Sequence, residues 1–117
     1  MKKILIVEDV ELNVELVTQL LEDDYELVVA SDGEQGIAMA TSERPDVILM
    51  DMSLPLCDGY EATRRIRAAG LAMPIIGLSA HAMAGDAALA LAAGCDDYLT
   101  KPLDDALLFA TLDRLLA

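Results

Sequence analysis

Polar residues that could bind a metal cation and a phosphoryl group follow four short apolar runs of this chain. The runs end on a pair of acids, a lone aspartate, a hydroxyl and an ammonium group: Glu8 with Asp9, Asp51, Ser79 and Lys101. If the runs are buried parallel strands, these groups gather along one edge of one sheet. Carboxylates prefer hard cations such as Mg²⁺, and a hydroxyl and an ammonium can bind phosphoryl oxygens. No single residue is specific for this chemistry, but the ordered set is.

Strand-like and helix-like segments alternate five times along the sequence. Leu12, Leu16 and Leu20 recur at the spacing of a helix. The run 47–50 shows no alternation, which is typical of a strand covered on both faces. The alternation predicts an α/β fold with a doubly wound parallel sheet, in which ligands bind outside the carboxyl ends of the strands.

Glycine, proline and acidic residues mark the boundaries of these elements. The predicted strands are 4–7, 25–29, 47–50, 75–78 and 98–100. The leucine repeat predicts the first helix, and the later helices are one that stops near Pro45, then 60–69, 84–93 and 104–116. Asp104 or Asp105 is expected to cap the last helix. We expect residues 1–117 to form one domain.

The composition restricts the class of protein. The 117 residues are 55% hydrophobic but only 3% aromatic, enough for one aliphatic core. Charges or glycines interrupt every apolar run, so none approaches the ~20 residues of a membrane-spanning helix. The first residues lack the apolar core and cleavage pattern of a signal peptide. We therefore expect a cytoplasmic protein that does not enter a membrane.

The charge is strongly acidic, with 21 acidic and 8 basic residues and a net charge of −13. Such a surface repels phosphate backbones, so we expect no binding to nucleic acid. It favours a basic partner surface or a metal cation, although acidic surfaces also serve solubility alone. Arg64, Arg65 and Arg67 cluster on one predicted helix. Cys57 and Cys95 lack metal-ligand spacing and are expected to be reduced thiols.

The order of the polar residues resembles that of one known family. The matching residues are Glu8 with Asp9, Asp51 after its apolar run, Pro55 with Asp58 and Gly59, Ser79 with Ala80, and Lys101 with Pro102. Over essentially its whole length the chain resembles a response-regulator receiver domain of two-component signalling. Such CheY-like domains occur as stand-alone proteins and as parts of hybrid kinases. The resemblance implies a flavodoxin-like (βα)5 fold with strand order 2-1-3-4-5.

The resemblance also implies a role for each site residue. Asp51 would accept the phosphoryl group as an aspartyl phosphate, and Lys101 and Ser79 would bind the phosphoryl oxygens. Asp9 and Asp51 would ligate Mg²⁺, for which Mn²⁺ can substitute, while Ser53 would contribute its backbone carbonyl. Glu8 would act through water. The donor would be a histidine kinase or a histidine phosphotransfer protein.

A conformational switch is the second implication of the resemblance. Ser79 would move towards the phosphoryl group and Tyr98 would turn inward into the vacated space. This would change the face made by the fourth helix, fifth strand and fifth helix, which a downstream protein would recognise. Ser53 and His81 would lie at the mouth of the pocket and tune the lifetime of the phosphoryl group.

Each of these residues also has a purely structural interpretation. Glu8 and Asp9 could cap a helix, since carboxylates favour that end of the helix dipole. Asp51 could cap the loop that follows it. Lys101 could be a surface lysine. Finally, Tyr98 could be half-buried at a sheet edge without switching, and His81 an exposed loop residue without a function.

Two other classes of protein compete with the receiver interpretation. A haloacid-dehalogenase-like phosphatase also uses an aspartate nucleophile with Mg²⁺ after an apolar strand. That family needs a second acid two residues later, where this chain has Ser53. A small flavodoxin-like module would bind a nucleotide or flavin, but the glycine-rich phosphate loop and the flavin-stacking aromatics are missing. We therefore expect a signalling switch rather than an enzyme.

Overall fold

The computed structural model describes residues 1–54, 57–80 and 85–117. In this part of the chain, strands and helices alternate as predicted. The strands are Lys3–Val7 (β1), Glu26–Ala30 (β2), Val47–Asp51 (β3), Ile75–Ser79 (β4) and Asp97–Thr100 (β5). The helices are Glu11–Leu21 (α1), Gly33–Glu43 (α2), Gly59–Ala68 (α3), Asp86–Ala93 (α4) and Asp105–Leu116 (α5).

The strands form one parallel sheet in the order β2-β1-β3-β4-β5. This confirms the predicted fold class and strand order. Helices cover both faces of the sheet, and every residue of β3 is buried, as the absence of alternation in its sequence predicted. Since all strands run the same way, their carboxyl ends lie at the same edge.

Several predicted boundaries differ from the structure by one residue. The second strand begins at Glu26 rather than Tyr25, because the Tyr25 amide still donates to Leu21 O at the end of α1. The last helix is capped by Asp104 and not by Asp105, since the Asp104 carboxylate accepts from the Leu107 amide at 3.0 Å.

The leucine repeat of α1 predicted the helix but not which side chains it buries. Val17 and Leu21 are the buried residues of α1. Leu12 and Leu16 are 61% and 53% exposed, so two of the repeated leucines lie on the surface. Helical spacing therefore does not by itself identify the buried face here.

Arg67 joins the end of α3 to the starts of β4 and β5. Its guanidinium donates to the carbonyls of Leu71 and Met73, both at 2.8 Å, and to that of Gly94 at 3.0 Å. It also pairs with the Asp96 carboxylate at 2.9 Å. We call these contacts the Arg67 clamp. The clamp lies near the amino ends of β4 and β5, opposite the edge where the predicted site residues lie.

Two further sequence predictions can be compared with the structure. Cys57 and Cys95 are both free and buried, in agreement with the predicted reduced thiols. Within the described part of the chain, no helix combines the length and the apolar character needed to cross a bilayer.

Candidate functional site

Three acidic side chains meet at the carboxyl edge of the sheet. Glu8 and Asp9 follow β1 directly and Asp51 is the last residue of β3, so the strand ends bring them together. Carboxylate oxygens of the three residues lie within 4.8 Å of one another. Glu8 and Asp51 are 4% and 3% exposed, whereas Asp9 is exposed. A group of hard oxygen donors at this spacing, open to solvent on one side, fits a divalent cation.

Lys101 reaches the same cluster from the end of β5. Its ammonium nitrogen lies 2.7 Å from Glu8 Oε1 and 3.7 Å from Asp51 Oδ1. The Lys101 amide donates to Ser79 O at 2.7 Å, which ties the residue to the end of β4. The Lys101–Pro102 peptide bond is cis. With its side chain only 19% exposed, Lys101 is not a free surface lysine, so that alternative is wrong.

Glu8 bonds both to Lys101 and to the backbone that leads into α1. Its Oε2 accepts from the amides of Asp9 at 3.1 Å and Val10 at 3.3 Å. The N-cap position itself is held by Val10, which makes no side-chain capping bond. Neither Glu8 nor Asp9 caps the helix, so that alternative is wrong: Glu8 bonds to the backbone just before α1 and to Lys101.

Asp51 is bonded to the loop that follows it and is close to Glu8. Its Oδ1 accepts from the Ser53 amide at 3.0 Å, so it does cap that loop. Burial, and then the hydrogen bond with Glu8, raise the pKa of Asp51 to about 7. Burial alone would raise the pKa of Glu8 too, but its hydrogen bonds with Asp51 and Lys101 outweigh burial and lower it. Asp51 therefore retains a proton more readily than Glu8 in the metal-free protein.

The close approach of α3 to β3 explains the Asp58–Gly59 pair. Asp58 caps α3 by accepting from the Glu61 amide at 2.9 Å. A Cβ added at Gly59 would lie 2.4 Å from Asp51 O and 2.6 Å from Met52 Cα. Only glycine leaves room for the helix to begin this close to the proposed phosphoacceptor.

The remaining predicted site residues are placed as follows. Ser79 is buried at the end of β4, and Ser53 is exposed just beyond Asp51. Tyr98 is half-buried and packs against the core cluster that contains Met52. The structure thus brings Glu8, Asp9, Asp51 and Lys101 together, with Ser79 on the neighbouring strand. His81 and Pro55 lie outside the described residues.

Two residues near the site were not singled out from the sequence. Met52 lies against Gly59, and Gly77 lies beside Met52 in the middle of β4. A glycine inside an otherwise apolar strand is a signal of close approach and could have indicated Gly77. Met52 carries no such signal, because a methionine is ordinary in a core.

Comparison with known proteins agrees with this geometry. The family model described as response regulator receiver domain matches residues 4–113. The protein PilH of Pseudomonas aeruginosa is 36% identical over 120 residues, covering 100% of this chain and 99% of PilH. The alkaline phosphatase synthesis transcriptional regulatory protein PhoP of Bacillus subtilis is 43% identical over 102 residues, covering 86% of this chain and 42% of PhoP. The match to the response regulator PleD of Caulobacter vibrioides covers only 26% of PleD. The chain therefore spans less than half the length of PhoP and of PleD.

Solved structures give the same result. The receiver domain of the sensor histidine kinase PA1611 of Pseudomonas aeruginosa, with magnesium coordinated in its active site cleft, is 42% identical with a TM-score of 0.90. That match covers 98% of this chain and 97% of the other. The chemotaxis protein CheY4 of Vibrio cholerae is 31% identical with a TM-score of 0.91, and the match covers 99% of both chains. This chain therefore belongs to the response regulator receiver domain family.

Proposed function

We propose that this protein receives a phosphoryl group on Asp51 in two-component or phosphorelay signalling. The observation that carries the proposal is the position of Asp51. It is buried at the end of β3, with the acids Glu8 and Asp9 within 4.8 Å and the Lys101 ammonium at 3.7 Å. A nucleophile with cation ligands beside it and a fixed positive charge is suited to phosphoryl transfer.

The reaction is a transfer from a phosphohistidine donor. An Asp51 carboxylate oxygen attacks the phosphorus, the P–O bond forms, and the P–N bond to the imidazole breaks. The donor imidazole leaves and takes up a proton from solvent. Lys101 is close enough to exchange its bond with Glu8 for a phosphoryl oxygen, and the Ser79 hydroxyl would bind another.

Asp9 and Asp51 would hold Mg²⁺ through their carboxylates, Ser53 through its backbone carbonyl, and Glu8 through water. Two observations support this set: the spacing of the three carboxylates, and the magnesium in the active site cleft of the PA1611 receiver. When bound, the cation supplies charge that reduces the repulsion between a carboxylate and the phosphoryl dianion. Mn²⁺ can take the same oxygen ligands.

The donor would be a histidine kinase or a histidine phosphotransfer protein in the cytoplasm. A groove of about 420 Å³ lies between α1 and the start of α5, and Glu8 and Lys101 line it, so the groove is continuous with the site. Leu16 also lines the groove, and Leu12 is exposed on the same helix. Exposed acids on α1, including Glu11 and Glu15, would favour a donor with basic residues around an apolar contact.

The output would be a change of protein contacts rather than turnover of a substrate. Phosphorylation would favour the state in which Ser79 bonds the phosphoryl group and Tyr98 is turned inward. A downstream protein would then recognise the face formed by α4, β5 and α5. With Ser53 where a phosphatase has its second acid, we propose no enzymatic activity beyond slow loss of the phosphoryl group from Asp51.

The test is incubation of the full chain with acetyl phosphate and Mg²⁺, followed by intact-mass and peptide mass spectrometry. We expect one phosphoryl group, on Asp51, and none in Asp51→Asn. Asp113→Asn, which changes an exposed aspartate of α5, is the matched control and should be labelled normally. An unmodified wild-type protein with several donors, or labelling that persists in Asp51→Asn, would refute the proposal. Rapid hydrolysis of diverse phosphomonoesters would favour the phosphatase alternative.

A further inference from the structure

Gly77 lies in the centre of the buried strand β4, where a glycine is unexpected. It pairs with Met50 of β3 and with Tyr98 of β5, so strands flank it on both sides. Glycine weakens a strand interior because it has no side chain to pack and loses more backbone entropy on folding. A glycine at such a position indicates that other groups use the space of its missing side chain.

Three side chains surround that space. A Cβ added at Gly77 would lie 3.2 Å from Met52 Sδ, 3.4 Å from Cys95 Sγ and 3.4 Å from Tyr98 Cδ2. The first distance is tighter than a normal carbon–sulfur contact, and the other two are at van der Waals contact. The three side chains belong to the loop after β3, the loop before β5 and β5 itself. A methyl group at position 77 would therefore have to displace at least the Met52 thioether.

Met52 links this space to the proposed phosphoacceptor. It follows Asp51 directly, and its amide continues the sheet by donating to Leu78 O at 2.9 Å. Its sulfur also lies 2.9 Å from the position that a Cβ on Gly59 would take. The Met52 side chain thus lies between two glycines, Gly59 and Gly77, with only 4% of its surface exposed. A displacement of the Asp51 backbone would move Met52 within this slot.

Tyr98 occupies the other side of the same space. It is in register with Gly77, and Ser79 lies on the same face of β4 two residues further on. The ring edge is at contact distance from the missing side chain of Gly77, so a larger residue there would leave less room for the inward ring. Met52 and Tyr98 therefore share one small volume that exists because position 77 has no Cβ.

We propose that Gly77 is a positioning residue for the Tyr98 switch, because it keeps open the space that the Met52 thioether and the Tyr98 ring both border. The proposal rests on the proposed function in one respect, namely that Tyr98 responds to phosphorylation of Asp51. Its structural part, that residue 77 sets the position of the ring, holds in the unmodified protein. Coupling of this kind passes through contiguous packed side chains with two arrangements.

The experiment uses the full chain with ¹³C-labelled tyrosine and variants Gly77→Ala and Gly77→Val. The Tyr98 ring signal is assigned with Tyr98→Phe, and its exposure is measured from relaxation by a soluble paramagnetic agent. Spectra are recorded with Mg²⁺ before and after addition of beryllofluoride as a phosphoryl mimic. Ile76→Val is the matched control, because Ile76 is a fully buried neighbour in β4 that packs in the cluster on the opposite face.

We expect Gly77→Ala to increase the paramagnetic relaxation of the Tyr98 ring in the unmodified protein and to reduce its response to beryllofluoride. Gly77→Val should show a larger increase in relaxation and a larger loss of the response than Gly77→Ala. Ile76→Val should change neither the relaxation nor the response. A Tyr98 ring that is as protected and as responsive in Gly77→Ala as in wild type would overturn the proposal. An equal change in Ile76→Val would also overturn it.

Two features keep this result separate from the proposed function. The ring exposure in the unmodified protein does not depend on phosphoryl uptake, so it tests Gly77 even if Asp51 is never labelled. If Gly77→Val fails to fold, Gly77→Ala alone decides the matter, because its methyl group need only push aside the flexible Met52 thioether, which then takes space from the Tyr98 ring. Failure of acetyl phosphate to label wild type would count against the proposed function and the response of Tyr98 to it, but not against the control of the ring position by residue 77.

Discussion

The ammonium nitrogen of Lys101 lies closer to Glu8 than to Asp51, at 2.7 Å from Glu8 Oε1 and 3.7 Å from Asp51 Oδ1. In the unmodified protein Lys101 is therefore bonded mainly to an acid other than the proposed phosphoacceptor. Glu8 thus holds the lysine beside Asp51, and the shorter of the two contacts of Lys101 is made to Glu8 rather than to the nucleophile.

Removal of this ammonium should destabilise the protein. We expect Lys101→Met to lower the free energy of unfolding by about 3 kcal/mol in magnesium-free buffer, because Glu8 would remain buried without its cation. Urea denaturation measures the change. Lys3→Met removes a lysine whose partners, Glu26 and Glu43, are much more exposed than Glu8, and should cost less. Equal losses in the two variants would show that burial of the pair has no special effect.

Asp51 should make stability depend on pH in the opposite sense to an ordinary salt-bridged aspartate. Its pKa is raised to about 7 in the folded protein, chiefly by burial, so the folded state binds the proton more tightly than the unfolded state. Its contribution is therefore greatest below its unfolded pKa of about 4 and is lost as the pH rises towards 7. With a chelator present, Asp51→Asn should remove this loss and be more stable than wild type at pH 8 by roughly 1–2 kcal/mol. Denaturation at several pH values checks this, and a wild type that gains stability relative to Asp51→Asn between pH 5 and 8 would contradict it.

Mg²⁺ should stabilise the folded chain through the acidic cluster. A ligand that binds only the folded state adds about 2.7 kcal/mol at a concentration of 100 times its Kd. We expect the melting temperature of wild type to rise with Mg²⁺, and the rise to be much smaller in Asp9→Asn. Asp113→Asn should respond as wild type does, since Asp113 is an exposed residue of α5. An unchanged response in Asp9→Asn would exclude Asp9 as a ligand.

The Arg67 clamp should be a major source of stability. Arg67→Lys keeps the charge but loses the planar fork that reaches Leu71 O, Met73 O and Gly94 O at the same time. We expect the free energy of unfolding to fall by about 2–3 kcal/mol, because these carbonyls would lose their donors. The control is Arg64→Lys on the same helix, which pairs with exposed Glu61 and should have little effect. Similar small effects in both variants would contradict the role of the clamp.

Gly59 should matter for the site as well as for stability. A methyl group at Gly59 would lie 2.4 Å from Asp51 O, and one at Gly33 would lie 2.1 Å from Cys57 O. Both glycines begin a helix, so Gly59→Ala and Gly33→Ala should each destabilise the protein, by about 1–3 kcal/mol. Only Gly59→Ala should slow labelling of Asp51 by acetyl phosphate, measured where both variants are folded. If Gly33→Ala slows labelling as much, the effect is one of stability.

Much of the fold and the site was predictable because both depend on local sequence signals. Apolar runs that end on polar residues predicted the strands, and the parallel arrangement then placed Asp51 and Lys101 at one edge. The contacts of Arg67 were not predictable, because they join residues that are up to 29 positions apart. The exposure of Leu12 was missed because helical spacing identifies a stripe of residues but not which part of it the sheet covers. The preference of Lys101 for Glu8 over Asp51 depends on a difference between two contact distances, 2.7 and 3.7 Å, that no sequence pattern reveals.

The cluster of Glu8, Asp9, Asp51 and Lys101 also has a consequence for how the protein integrates its inputs. The three acids outnumber the one ammonium, so the resting site carries excess negative charge even when Asp51 holds a proton. A divalent cation brings the site near electroneutrality, and only then can the incoming phosphoryl charge be accommodated. Phosphorylation of the protein should therefore require two conditions at once, a bound cation and a phosphorylated donor. Cation occupancy is then a condition for reception of the signal and not merely an aid to its chemistry.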